Sequence, residues 1–95
     1  MVKVRALIKL FKKGRKTPFI SGYRPLFSFI NEMKTSGQIS LIEKEEFYPG
    51  DVGEVQISFL NKKYLGDDFG IGKKFTFSEG LDSLGEGEII EVYYE

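Results

Sequence analysis

The residues best suited to hold a ligand lie near the start of the chain: Arg15 and Lys16 in one loop, then Tyr23 and Arg24 in the run Gly22-Tyr23-Arg24-Pro25. An arginine set between a tyrosine and a proline stacks while its guanidinium fork grips a phosphate or carboxylate through two hydrogen bonds. An internal salt bridge would use the same fork equally well, so the pattern alone leaves both readings open.

Other kinds of chemistry have little to work with. The chain has no cysteine, which excludes disulfides and thiolate metal sites. It has no histidine, the commonest zinc ligand and the usual general base near neutral pH. A catalyst would depend on carboxylates, lysines and hydroxyls. The segment Gly70-Ile71-Gly72-Lys73-Lys74 is shorter than the Gly-x-x-x-x-Gly-Lys-[Ser/Thr] phosphate loop, so no nucleotide is expected on this chain. Asp67 and Asp68 could approach a divalent cation, but two adjacent carboxylates in a glycine-rich turn are ordinarily a solvated loop. No active site, cofactor or metal site is read from the sequence.

The net charge is zero, yet the charges are segregated. Residues 1 to 24 hold eight cations and no acid, whereas the remainder holds six cations and fourteen acids. Such asymmetry fits a face that attracts anions or an acidic protein. It fits equally a basic first strand and loop paired with acidic strands elsewhere in the fold. No segment has the layout of a signal peptide, and the longest apolar runs are only a few residues. A soluble, cytoplasmic protein without membrane association is expected.

These residues must be positioned by strands, because the dominant period along the chain is two. Val2, Val4, Ala6, Ile8 and Leu10 alternate with Lys3, Arg5, Leu7 and Lys9; Phe27 and Phe29 flank Ser28; Ile39 and Leu41 flank Ser40. Val55, Ile57 and Phe59, then Phe75 and Phe77, then Ile90, Val92 and Tyr94 repeat the pattern. Turn signals fall at Lys12-Lys13-Gly14, Ser21-Gly22, Ser36-Gly37, Pro49-Gly50-Asp51, Gly66-Asp67-Asp68, Gly70 with Gly72, and Gly80. Gly85 and Gly87 are expected to bracket the last strand. The spacing predicts a single all-β domain over residues 1–95, an antiparallel barrel or sandwich of about six strands with almost no helix. Val4, Ile8, Phe27, Phe29, Ile57, Phe75 and Val92 are expected inside.

A series of motifs, in order over most of the chain, resembles the C-terminal domain of bacterial elongation factor Tu. Gly14-Arg15-Lys16-Thr17-Pro18-Phe19 is similar to the family's Gly-Gly-Arg-His-Thr-Pro-Phe loop, and Gly22-Tyr23-Arg24-Pro25 matches residue for residue. Ser36-Gly37-Gln38-Ile39 resembles Thr-Gly-Thr-Ile, after a connection about two residues longer, and Pro49-Gly50-Asp51 stands where the family has Met-Pro-Gly-Asp. Phe75-Thr76-Phe77-Ser78-Glu79-Gly80 and Gly85-Glu86-Gly87 resemble Phe-Ala-Ile-Arg-Glu-Gly and Gly-Ala-Gly. The resemblance implies a Greek-key β-barrel that binds partners without chemistry. In the family it contacts aminoacyl-tRNA and a GTPase domain.

Carried over by position, the resemblance implies a binding set of Arg15, Lys16, Tyr23, Arg24, Leu26, Ser36, Glu79 and Gly80. The match is mixed, because Leu26 replaces a glutamine, Ile30 a basic residue, and Ser78 and Asp82 two arginines. Lost cations weaken an RNA site, since phosphate contacts supply much of its affinity. A protein partner is therefore expected: a GTPase domain, an exchange factor or a toxin directed at the translation factor. The alternatives are tRNA or another structured RNA held by Arg15, Lys16 and Arg24, or a chain that is a fragment of a larger, divergent factor. Met1 directly before the first strand points to a free-standing protein.

Overall fold

Every second residue of Val2–Leu10 is buried in a computed structural model that describes residues 1–30 and 33–94, the Tyr94 side chain excepted. This run is strand β1. It is followed by β2 (Leu26–Ile30), β3 (Met33–Leu41), β4 (Val52–Phe59), β5 (Lys74–Glu79) and β6 (Asp82–Tyr94), with one short 3-10 turn at Lys62–Tyr64. The strands close into an antiparallel barrel in the order β1-β4-β3-β2-β5-β6, with β6 returning to β1. The β1-β4-β3-β2 portion is a Greek key read from its far end. Closure removes the free edges that an open sheet of this size would expose. No helix among the described residues is long and apolar enough to cross a membrane.

Phenylalanines fill the barrel. Phe27 is fully buried and meets Phe29, Phe59, Phe75 and Phe77 at ring-centroid distances of 5.2 to 6.5 Å. Val4, Ile8, Phe29, Ile57 and Phe75 lie in the same core, as their alternation predicts, while Val92 is half-buried and packs against it. Each fully buried side chain of this size contributes roughly 1.5 to 3 kcal/mol.

Three expectations about glycines and register are corrected. Ser36-Gly37 is no turn but lies within β3, and Gly85 and Gly87 lie within β6 rather than bracketing it. The reason is steric. A Cβ on Gly37 would come within 2.7 Å of the Phe59 ring, one on Gly85 within 2.4 Å of Phe77, and one on Gly87 within 2.5 Å of Phe75. These glycines give the space of their missing side chains to the rings across from them.

The last strand also departs from simple alternation. Arg5 pairs with Glu91 but Ala6 pairs with Ile89, so Ile90 is the extra residue of a bulge. Ile89 therefore enters the core, Ile90 is only half-buried, and the expected inward place of Tyr94 concerns a side chain outside the described residues.

The charge asymmetry is partly absorbed by the sheet. On the outer face Arg5 Nε lies 3.2 Å from Glu54 on β4, and its guanidinium lies 3.8 Å from Glu91 on β6. Such exposed pairs contribute little individually. The Pro49-Gly50-Asp51 turn closes onto the end of β1, with Gly50 N–H donating to the Leu10 carbonyl at 2.7 Å. Gly50 holds φ +93°, a conformation that favours glycine. The Asp51 carboxylate accepts from the Tyr48 N–H at 2.8 Å. That hydrogen bond, with Lys44 adding to it, holds the Asp51 carboxyl below its usual range.

Candidate interaction rim

The connection from β1 to β2 must cross one end of the barrel, past β4 and β3. It is pinned there by two isolated bridges, Phe19 to Phe47 and Tyr23 to Ile39. Phe19 and Phe47 are buried with rings 5.2 Å apart, and Tyr23 stacks on Phe19 at 4.6 Å. This aromatic column fixes the Tyr23 ring at the rim, beside the end of β5.

Three of the expected residues meet at that point. The Arg15 guanidinium lies 4.6 Å over the Tyr23 ring and donates from Nη1 to Glu79 at 2.6 Å. The Tyr23 hydroxyl donates to the same Glu79 carboxylate oxygen. Arg15 Nε also donates to the Thr17 carbonyl at 3.0 Å, closing its own loop. Burial first, and the Glu79 hydrogen bond next, push the Tyr23 hydroxyl well above the ordinary tyrosine range. It remains a proton donor at neutral pH. The Arg15 and Glu79 charges offset each other, and the cluster ties residues far apart in sequence into one rigid contact.

The remaining candidates are arranged around this cluster. Arg24 is exposed and makes a long contact of 3.5 Å to the Gln38 side chain, and among the described residues no carboxylate holds its guanidinium. Lys16 is exposed and, among the described residues, makes no ion pair. Leu26 is half-buried on the outer face of β2, between Ser36 of β3 and Ser78 of β5. Ser36 is exposed beside it. Gly80 opens the tight turn between β5 and β6 with φ +59°.

Sequence reasoning passed over Lys34 and Gln38. Lys34 reaches across β2, its ammonium 3.3 Å from the Ser78 hydroxyl and 3.2 Å from the Gly80 carbonyl. Ser78, standing where the resemblance implies an arginine, is itself buried. Alternation was the available signal, since Lys34, Ser36 and Gln38 share the outward face of one strand.

Among the described residues no group of three or more His, Cys, Asp or Glu converges on a point that could hold a metal ion. Asp68 instead receives the Lys73 ammonium at 2.7 Å, which lowers its carboxyl below the usual range. No family model matches the chain.

Proposed function

We propose that this barrel is a noncatalytic protein-interaction module resembling the C-terminal domain of elongation factor Tu, acting on a protein of the translation machinery through the rim around Tyr23 and Leu26. The observation that carries the reading is the state of Arg15. Its guanidinium is already taken by Glu79 and the Tyr23 ring, so the cation most prominent in the loop motif offers little to a phosphate. What the rim presents instead is an aromatic ring on a packed column, a half-buried leucine and a charged surround, the composition of a protein-contact patch.

A second reading, tRNA or another structured RNA, draws on Lys16 and Arg24, which are exposed and have no carboxylate partner among the described residues. Capture from lysate on immobilised protein separates partners by class. Leu26→Asp is expected to cost about 1 kcal/mol of stability, as for a typical point substitution. It should nevertheless abolish capture of the protein partner while the urea-unfolding midpoint moves only slightly. Undiminished capture by Leu26→Asp would remove Leu26 from the contact.

A further inference from the structure

Leu81 is 97% exposed, more than any other large apolar side chain among the described residues. It takes the second place of the two-residue turn Gly80-Leu81, which the Glu79–Asp82 pair closes between β5 and β6. Gly80, at φ +59°, supplies the conformation such a turn needs, and the place after it ordinarily goes to Gly, Asn, Asp or Ser. Leucine there serves neither the turn nor the core.

The turn that carries it is braced from outside its own hairpin. Glu79, the last residue of β5, accepts from Arg15 Nη1 at 2.6 Å and from the Tyr23 hydroxyl. The Gly80 carbonyl accepts from the Lys34 ammonium at 3.2 Å, and Lys34 reaches the Ser78 hydroxyl as well. Two residues past Asp82, Leu84 is buried and its carbonyl accepts from the Phe11 N–H at 2.8 Å. The tip is thus held by β3 and by the connection from β1 to β2, in addition to its ladder. A side chain presented on a fixed turn loses less entropy on binding than one on a loose loop.

Charge at this end of the barrel narrows what the leucine meets. Lys34 is bonded to neutral oxygens, so its charge still adds to the field at the tip. Lys16 and Arg24 stand on the adjoining rim without a carboxylate partner among the described residues, while the Glu79 charge is offset by Arg15 and Asp82 is the remaining acid of the turn. Phosphates would answer the cations but not the leucine. We propose that Leu81 is the anchor by which this end of the barrel docks a partner protein, whose surface offers an apolar pocket edged by carboxylates. The inference names the chemistry of the partner proposed for the Tyr23 rim and rests on that reading.

The test introduces a photo-crosslinking side chain into the full chain, as Leu81→p-benzoylphenylalanine or, for control, Ile71→p-benzoylphenylalanine in the exposed turn at the other end of β5. Each is irradiated in cell lysate. Position 81 should bond to one protein that position 71 does not, and mass spectrometry should place the bond on an apolar segment among Asp and Glu side chains. That protein, purified, is then titrated with the full chain and its variants. Leu81→Ala should weaken binding about tenfold or more, the effect of a lost anchor, with the urea-unfolding midpoint unmoved. Affinity lost in Leu26→Asp but kept in Leu81→Ala would overturn this inference and leave the rim reading standing. Affinity kept in both would overturn the two together. No adduct specific to position 81, an adduct with RNA, or a bonded segment without carboxylates would each overturn the proposal.

Discussion

Phe27→Ala is expected to destabilise the barrel by about 3 to 5 kcal/mol, and urea unfolding followed by circular dichroism reads the loss directly. Phe27 has no solvent exposure, and four other phenylalanines pack around it. Truncation loses the transfer free energy of the ring and leaves a cavity that rigid strands on all sides cannot fill. A domain of this size has only about 5 to 15 kcal/mol of stability in total. The variant should therefore lose a large share of that stability, read as a lower urea midpoint. A loss below about 1 kcal/mol would mean that the rings repack freely and that the core is not the one described.

Gly85→Ala should cost about 3 kcal/mol, the upper end of what a single inserted methyl does to a packed core. The added Cβ would stand 2.3 Å from the Lys9 carbonyl oxygen and 2.4 Å from the tip of the Phe77 ring. The oxygen belongs to the paired strand β1 and can move only by breaking ladder hydrogen bonds, while the ring is hemmed in by Phe27. Gly70→Ala is the control. Nothing lies within 4 Å of the added atom there, so its effect should stay within about 0.5 kcal/mol. Equal effects at the two positions would show that Gly85 is not a steric requirement.

Gly85 also marks where reading the sequence reached its end. The strands of Val2–Leu10, Val55–Phe59 and Phe75–Phe77 are legible because apolar and polar residues alternate on a half-buried sheet. A glycine inside a strand looks identical to a glycine in a turn until the ring that needs its space is known. The bulge at Ile90 is invisible for a related reason: it is a property of the pairing between β1 and β6, not of either strand alone. At the rim, Arg15, Tyr23 and Glu79 could be named from motif positions. Their contact depends on the connection that crosses the barrel end on the Phe19–Phe47 column. Lys34 was within reach, two residues before Ser36 on the same strand face, but no motif drew attention to it.

Whether the rim meets protein, as proposed, or RNA is decided by titrating total tRNA into the purified chain at two salt concentrations. With Arg15 held by Glu79 and the Lys34 ammonium held by Ser78 and Gly80, the candidates at the rim left to neutralise phosphate are Lys16 and Arg24. Binding should be weak, with a slope of log affinity against log salt no steeper than about −2. Tight binding that falls steeply with salt and is lost in Arg15→Ala, Lys16→Ala or Arg24→Ala would contradict the claim and make RNA the partner.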